Sequence, residues 1–360
     1  MDYMFILGRD SELSLLELVS YFKNNSITYR LVWHHGEVAV FSLPQLDFKK
    51  IITQLGGAVK IGVVMESLDD LFFDSNRVKY AVSAYGKADV HEFKKLLKAH
   101  FRSQHVRAFQ KKPKKGNVLM PSDVLHHDLI DSGYEFILGG DFFARTIAVF
   151  DPSEHESRDE QRPEKDYLNV ISIRLAKILI NLSQPKHTLL DPFCGYGTIL
   201  QEALLMGLDV FGIDLDPKIV NACKKNLLWL QNNYEFKGRW RVFCNDARNS
   251  SKILTSIDSI ATEPYLGPFL KKLPSKEEAS KIASDLSVLY SDVLTDLRKV
   301  VKGKIAIVIP RFRTRANDLV SLPFERIVKE SGFKPVNFSE VKLPVLYLTG
   351  KIEREIWVLE

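Results

Sequence analysis

Four acidic side chains, each at the end of a short apolar run, could together bind the polar groups of one ligand. They are Asp191, Asp214, Asp246 and Glu263. The apolar runs alternate with segments of helical spacing, which is the pattern of a doubly wound α/β fold. In such a fold the parallel strands end at one edge of the sheet, and ligands bind beyond that edge. We therefore expect the four carboxylates to surround a single site.

The segment after the first of these runs indicates the kind of ligand. Asp191-Pro-Phe-Cys-Gly-Tyr-Gly-Thr198 joins a predicted strand to a predicted helix over Ile199–Met206. Gly195 and Gly197 lack Cβ, so a ligand can approach the backbone of this turn closely. Asp214 follows after about 20 residues, the spacing at which a carboxylate can hold ribose hydroxyls. The glycine pattern does not favour a pyrophosphate, because it is not Gly-x-Gly-x-x-Gly and no Lys follows it. A nucleoside with a compact tail fits better, and S-adenosylmethionine is such a molecule.

Composition sets the limits on size, location and charge. The 360 residues predict two or three domains, and the net charge of +5 permits a nucleic-acid partner without requiring one. No apolar run could span a bilayer, and the N-terminus lacks a basic region typical of a signal peptide, so we expect a cytoplasmic protein without membrane contact. Cys194, Cys223 and Cys244 are widely spaced. We interpret them as buried free thiols, and we find no ligand cluster for a metal.

The chain is predicted to divide into three parts. Residues 1–150 contain short strands and helices without a cofactor motif, as expected for a smaller α+β region. Residues 151–185 are predicted to be a linker and a connecting helix. In this part the charged run 151–166 is interpreted as a linker or an exposed loop, and Val170–Leu182 as the helix. Residues 186–360 form the doubly wound, Rossmann-like domain. Its last elements are predicted to be a helix over Ser280–Val301 and a closing hairpin of residues 336–341 and 355–359.

A family resemblance extends along much of the chain. The matching segments, in order, are Met4–Gly8, Glu12–Ser14, Glu17-Leu18, Arg158-Asp159, Arg162-Pro163, Arg174–Ala176, Asn181-Leu182, Asp191–Thr198, Gly212–Asp214, Asp246–Arg248 and Glu353–Ile356. They resemble the THUMP-domain class I S-adenosylmethionine-dependent methyltransferases that modify N2 of a guanosine in tRNA, typically at position 10. The resemblance implies a THUMP-like RNA-binding region over 1–150 and a methyltransferase domain over 186–360.

The resemblance also implies a role for each motif residue. Those implied to bind the cofactor are Asp191, Phe193, Gly195, Gly197, Asp214, Asp246 and Ala247. Those implied to act in catalysis are Glu263, Pro264 and Tyr265. Asp246 is expected to accept a hydrogen bond from the adenine amine. No metal is required by this chemistry.

The catalytic motif departs from the family pattern. The family has Asp-Pro-Pro-Tyr followed by Gly, whereas this chain has Thr262-Glu-Pro-Tyr-Leu-Gly267. Without gaps, Glu263 replaces Asp and Tyr265 replaces the second Pro. Aligned on Tyr265, Thr262 replaces Asp instead. We prefer the gap-free register because it keeps a carboxylate at the acceptor position, and in that register Thr262 has little importance.

The chemistry explains why an acceptor is needed at this position. The exocyclic amine of guanine is a poor nucleophile because its lone pair is delocalised into the ring. Hydrogen-bond acceptors on its N–H groups shift the lone pair toward the methyl donor. Glu263 and the Pro264 segment could supply these acceptors, and Tyr265 could stack on the base.

A basic stretch in the N-terminal region could contact RNA. Residues 91–115 carry nine Lys and Arg side chains against one acid, Glu92, with Phe93, Phe101 and Phe109 interleaved. For the aromatics we favour packing on the inner face of a helix. For the turn Lys111-Lys-Pro-Lys-Lys115 we favour contact with the tRNA backbone.

Two alternatives remain open from the sequence alone. One is a methyltransferase for another amine, on rRNA or DNA, which the altered motif allows. The other is a non-catalytic RNA-binding protein that retained the cofactor fold, which the intact acids and glycines disfavour. The sequence also leaves open whether a small activating partner subunit takes part.

Overall fold

The computed structural model describes residues 1–73, 75–165, 171–349 and 352–360. The chain forms two compact units. The first contains Met1–Ser14 and Ser26–Asp159, and the second contains Leu15–Asn25 and Glu160–Glu360. Asp166 and Val170, which belong to the predicted linker and connecting helix, lie outside the described residues.

The first unit is built on one mixed sheet. Its elements are β1 (Asp2–Leu7), α1 (Ser11–Asn24, shared with the second unit), β2 (Arg30–His35), β3 (Val38–Ser42), α2 (Phe48–Gln54), β4 (Ala58–Met65), β5 (Arg77–Tyr85), α3 (Val90–Ser103), β6 (Arg107–Gln110), α4 (Pro121–His126), β7 (Gly133–Gly139), β8 (Phe142–Val149) and α5 (Pro152–Gln161). The strand order is β2-β3-β1-β4-β8-β7-β5-β6. Strand β5 pairs in parallel with β6 and β7, whereas the other neighbours are antiparallel. The predicted α+β character of this region is therefore present.

A buried ion pair lies inside this first sheet. Lys60 on β4 and Glu135 on β7 are both fully buried, and the Lys60 ammonium donates to Glu135 Oε1 and to the Leu119 carbonyl oxygen. The hydroxyls of Ser83 and Thr146 donate to the same carboxylate at 2.5 and 2.8 Å. Each oxygen of Glu135 therefore has a donor, as a buried charge requires.

The second unit is a doubly wound α/β domain, as predicted. Its elements are α6 (Ile173–Ser183), β9 (Thr188–Asp191), α7 (Thr198–Leu205), β10 (Asp209–Asp214), α8 (Pro217–Asn233), β11 (Trp240–Cys244), β12 (Ser259–Thr262), α9 (Lys276–Leu297), β13 (Ile305–Arg313), β14 (Leu319–Ser321), α10 (Phe324–Glu330), β15 (Val345–Thr349) and β16 (Ile352–Leu359). The order is β11-β10-β9-β12-β13-β16-β15, with β14 paired to β13. Strands β9 to β13 run parallel, so their carboxyl ends lie at one edge.

Local sequence signals account for the helix boundaries in this unit. Asp216 accepts from the Lys218 amide and Pro217 occupies the first turn of α8, as predicted. Helix α9 begins four residues before the predicted Ser280, because Ser275 and Glu278 form a reciprocal capping box. The apolar face of α9 packs into the core of the unit with the inner residues of β12 and β13. This packing fixes the carboxyl end of β12, where Glu263 follows.

Two sequence predictions are wrong. The charged run 151–166 was expected to be a linker or an exposed loop without regular structure, but residues 152–161 form α5, in which His155 and Arg158 are buried. Asp151 accepts from the Ser153 amide at the start of α5, and Glu, Arg and Gln are good helix formers.

The closing hairpin consists of β15 and β16. Residues 336–341 are not a strand, because only isolated contacts such as Val336 N–H to Val358 C=O join them to β16.

Two further expectations have mixed outcomes. Phe101 is buried and Phe93 packs against the core of the first unit, as expected, but Phe109 on the edge strand β6 is 54% exposed. Cys194 and Cys223 are buried, but Cys244 is exposed, because it ends β11 at the edge of the second sheet. Among the described residues, no helix is long and apolar enough to cross a membrane.

Candidate functional site

Asp191 is the most deeply buried acid at the edge of the second sheet. It ends β9 and is 2% exposed. Its Oδ1 accepts from the Phe193 amide at 3.1 Å and from the Thr262 hydroxyl at 2.7 Å. Burial raises the pKa of Asp191 to about 7, although these two hydrogen bonds lower it, and the charges of Asp214 and Glu263 raise it further. No cation among the described residues forms an ion pair with Asp191. The site therefore contains a carboxylate that burial destabilises in its charged form.

The glycine turn follows directly and adopts the backbone that the sequence predicts. Gly195 and Gly197 have φ values of +51° and +86°, a region that L side chains rarely adopt. A Cβ on Gly197 would lie 2.7 Å from the Cys223 sulfur, whereas a Cβ on Gly195 would meet no atom within 4 Å. Gly197 is therefore required by packing. Gly195 leaves open space in front of the turn.

Asp214 links the second strand to the glycine turn. Its Oδ2 accepts from the Gly195 amide at 3.1 Å and its Oδ1 from the Asp216 amide at 3.0 Å. The side chain is half-buried at the end of β10. The structure thus places Asp214 beside the turn, as the spacing predicts.

Asp246 follows the third strand, β11, and its carboxylate is paired with Arg248. It accepts from the Arg248 amide at 2.9 Å, and its Oδ2 lies 2.6 Å from the Arg248 guanidinium. These hydrogen bonds from Arg248 hold the pKa of Asp246 below its usual range. The Asn245 amide donates to the Asp214 carbonyl oxygen at 3.0 Å, so the two strand ends are joined. Ala247 and Phe193 both pack against the core of this unit.

Glu263 ends the series and carries an ion pair that the sequence did not indicate. Its Oε1 accepts from Arg354 Nε at 2.6 Å, and the two side chains are 13% and 23% exposed. Arg354 comes from β16, 91 positions further along the chain. Among the described residues, Glu263 Oε2 has no hydrogen-bond partner.

The residues after Glu263 form an outward-facing loop. Pro264 is buried, whereas Tyr265 is 55% and Phe269 68% exposed. The Tyr290 hydroxyl on α9 donates to the Tyr265 carbonyl oxygen at 2.7 Å and so holds the backbone of the loop in place. The Tyr265 ring is thereby left at the surface on a fixed backbone.

The structure brings most of the predicted site residues together. One pocket is lined by Ile171, Asp191, Phe193, Cys194, Gly195, Tyr196, Thr198, Ile199 and Glu263. Asp214 adjoins it through the Gly195 amide. Asp246 and Tyr265 do not line this pocket. Within the described residues, no group of three or more His, Cys, Asp and Glu side chains could hold a metal ion.

Sequence reasoning missed two residues of this site. Thr262 was expected to matter little, but it is fully buried and donates to Asp191. A hydroxyl at the end of a buried strand, next to a strand ending in Asp, was the available signal. Arg354 had no comparable signal, because nothing near it in the chain points to Glu263.

Comparison with known proteins agrees with this geometry. A family model described as an RMKL-like methyltransferase domain matches residues 164–319, and one described as a DNA methylase matches residues 25–225. The chain belongs to the methyltransferases. Its fold resembles the crystal structure of TrmN from Thermus thermophilus, with a TM-score of 0.51 and 15% identity over 100% of this chain and 99% of that one.

Two curated relatives of this methyltransferase are both named tRNA (guanine(10)-N2)-dimethyltransferase. The protein from Pyrococcus abyssi is 30% identical over 166 residues, which are 46% of this chain and 46% of that protein. The protein from Methanothermobacter thermautotrophicus is 27% identical over 285 residues, which are 74% of this chain and 78% of that protein. The methyltransferase therefore matches less than half of the first relative and more than three quarters of the second.

Proposed function

We propose that this methyltransferase transfers a methyl group from S-adenosylmethionine to the exocyclic N2 amine of a guanosine in tRNA, at position 10, in the cytoplasm. The observation that carries the proposal is that Glu263 lines the same pocket as Asp191 and the glycine turn. A hydrogen-bond acceptor for an amine thus lies beside a site suited to a nucleoside. The names of the two curated relatives support the choice of tRNA and of the amine.

The pocket residues fit the methyl donor. The open space before Gly195 is room that a Cβ would fill. Asp191 and Glu263 line the same pocket, and Asp214 accepts from the Gly195 amide. Asp214 would hold the ribose hydroxyls and Asp246 the adenine amine, with Phe193 and Ala247 lining that side. Asp191, which pairs with no cation in the described part of the chain, would face positive charge. When bound, S-adenosylmethionine supplies an electrophilic methyl group on a sulfonium.

The loop after β12 would handle the target base. Glu263 Oε2 and the carbonyl oxygen of Pro264 would accept hydrogen bonds from the guanine amine and so raise the electron density on its nitrogen. Tyr265 would stack on the extruded base, since its ring is exposed on a backbone fixed by Tyr290. Most of the remaining rate enhancement would come from holding nitrogen and methyl group in line.

The first unit would bind the body of the tRNA. Burial lowers the pKa of Lys94, and the nearby charges of Lys112 and Lys98 lower it further. Like charges crowded in this way favour an anion such as the phosphate backbone. Changing Lys111, Lys112, Lys114 and Lys115 to Glu should weaken tRNA binding and reduce its salt slope by about one unit per lost contact.

Methyl transfer from labelled S-adenosylmethionine tests the proposal. We expect incorporation into a tRNA transcript with guanosine at position 10, detected as N2-methylated guanosine by nucleoside mass spectrometry. A transcript with adenosine there should stay unlabelled. Glu263→Gln should slow the single-turnover reaction on the order of 10²–10³-fold, because a donor would then face the amine. Thr262→Val should act on donor affinity through Asp191. A slow Thr262→Val with a normal Glu263→Gln at saturating donor would support the other register.

One observation favours a second candidate function, methylation of rRNA or DNA. It is the DNA methylase match over residues 25–225. The same assay with rRNA and duplex DNA as acceptors separates the two. Labelled DNA or rRNA with unlabelled tRNA would replace our proposal. Donor binding without transfer to any nucleic acid would indicate a binding protein.

A further inference from the structure

We infer that Arg354 is a positioning residue: it holds Oε1 of Glu263 so that Oε2 is presented to the target amine. This inference deepens the proposed function and rests on it. The contact that carries it is the 2.6 Å hydrogen bond from Arg354 Nε to Glu263 Oε1. It joins β16, the last strand of the chain, to the first residue after β12.

The motif of this chain explains why such a contact is needed. Glu has one more rotatable bond than Asp, so an acceptor carboxylate on Glu samples more positions. The motif also contains a single proline, Pro264, before Tyr265. Both features make the acceptor less rigid unless another group fixes it. A hydrogen bond from a guanidinium is short, directional and charge-assisted, and it fixes the carboxylate.

The division of the two carboxylate oxygens points to a role beyond folding. Arg354 Nε engages Oε1, whereas Oε2 has no hydrogen-bond partner among the described residues and its side chain lines the pocket. A purely structural pair would be expected to satisfy both oxygens, as Lys60, Ser83 and Thr146 do for Glu135. The free oxygen of Glu263 is the one available to the amine.

Arg354 and its neighbour Glu353 belong to opposite faces of the sheet. Arg354 lies opposite Pro310 in the β13–β16 pairing, and Glu353 lies opposite Arg311. Because alternate residues of a strand face opposite sides of the sheet, Arg354 and Glu353 point to different sides. Glu353 is paired with Arg311 and Arg313 on its own side. Among the described residues, the acids on either side of Arg354, Glu353 and Glu355, are paired with arginines of β13.

Single-turnover methyl transfer at saturating donor and tRNA tests the inference. Arg354→Gln should slow the step by about 100-fold, the cost of a small misplacement of a reacting group. Affinities for S-adenosylmethionine and tRNA should change less than about twofold, because the loss belongs to the transition state. Arg354→Lys should recover part of the rate by restoring the charge. Arg313→Gln is the matched control, since it removes an arginine of the neighbouring strand β13 that pairs with Glu353 on β16, and it should keep the wild-type rate.

Combining the substitutions distinguishes positioning from a general structural effect. Glu263→Gln with Arg354→Gln should be no slower than Glu263→Gln alone, because Arg354 acts only through the carboxylate. Independent, multiplicative losses would overturn the inference. A wild-type rate in Arg354→Gln would overturn it and leave the proposed function intact. A wild-type enzyme that labels no nucleic acid would overturn both.

The contact between Arg354 and Glu263 can also be tested by a measurement that does not depend on the enzymatic rate. In the ¹⁵N-labelled full chain, the Arg354 Nε–H signal should be protected from exchange with water because its proton is hydrogen-bonded. The protection should vanish in Glu263→Ala, which removes the acceptor, and persist in Glu353→Gln. An unprotected signal in the wild type would overturn the inference.

Discussion

Two buried carboxylates, one in each unit, differ in whether a positively charged side chain is paired with them. Glu135 in the first sheet is fully buried and receives hydrogen bonds from Lys60, Ser83 and Thr146. Asp191 in the second sheet is almost as buried, but it receives only the Thr262 hydroxyl and one backbone amide, both at Oδ1. The first carboxylate is neutralised by Lys60, whereas no cation of the described residues neutralises the second.

We propose that the difference separates a structural acid from a ligand-binding one. A protein that buries a charge without a counter-charge loses stability, unless a ligand supplies the missing partner. Asp191 bears this cost at the edge where the parallel strands end, beside the glycine turn. We interpret its unbalanced charge as the feature that selects a cationic ligand, and the following experiments address this contrast in order of expected effect.

Removing the cation from the first carboxylate should have the largest effect. Lys60→Met leaves Glu135 buried without a counter-charge and should lower the free energy of unfolding by about 3–5 kcal/mol. Hydrogen exchange of the β4 and β7 amides measures this loss. Lys49→Met is the control, because Lys49 and Asp131 form an exposed pair, and it should cost under about 1 kcal/mol. A similarly small loss for Lys60→Met would remove the contrast.

Neutralising the second carboxylate, Asp191, should raise the free energy of unfolding, whereas Lys60→Met should lower it. Burial raises the pKa of Asp191 to about 7 from 3.8, so the folded protein binds this proton more tightly than the unfolded chain. The contribution to stability is therefore present at acid pH and is lost as pH rises through 7. Asp191→Asn keeps the acceptor for Thr262 and should raise the free energy of unfolding at pH 8 by about 2–4 kcal/mol without ligand.

Urea unfolding at pH 8 and at pH 5 checks this sign. The gain from Asp191→Asn should shrink at the lower pH, where wild-type Asp191 is already protonated. The control is Asp258→Asn, because Asp258 accepts from the amides of His187 and Thr188 and should give no gain. A loss of stability in Asp191→Asn at pH 8 would mean that the charge is structural.

The half-buried acid beside the turn should have a smaller effect, confined to the ligand. Asp214→Ala should weaken S-adenosylmethionine binding by about 1.5–3 kcal/mol, as for a lost hydrogen bond to a charged group. Calorimetry measures the affinity. Asp209→Ala, at the other end of β10, removes an ion pair with Arg239 and should leave the affinity unchanged. Equal affinity in both variants would exclude Asp214 from the site.

The smallest expected effect is the change in S-adenosylmethionine affinity for each unit of pH. Because Asp191 must be ionised to attract positive charge, S-adenosylmethionine affinity should fall about tenfold for each pH unit below 7, or about 1.4 kcal/mol. The affinity of Asp191→Asn should be lower at pH 8 and nearly independent of pH. A wild-type affinity that is flat between about pH 5.5 and 7 would show that another group binds the cation.

The parts of the site that could be predicted are those encoded by neighbours in the chain. Asp191 and Asp214 were placed correctly at strand ends because a short apolar run and the residue after it are contiguous. The cap of α8 at Asp216 was equally local. Residues 151–161 were misjudged because their polarity suggested a linker or an exposed loop, whereas residues 152–161 form a helix in which His155 and Arg158 are buried.

The sequence by itself determined the alternation of strands and helices from β9 to α9, the glycine turn and the set of acids at the sheet edge. Each of these depends on interactions within a few residues of one another, so periodicity and residue type suffice to predict them. Only the tertiary structure decided which acids have partners. Thr262 reaches Asp191 across 71 positions and Arg354 reaches Glu263 across 91. Charge balance in a buried site depends on atoms that the fold brings together, and spacing along the chain carries no record of them.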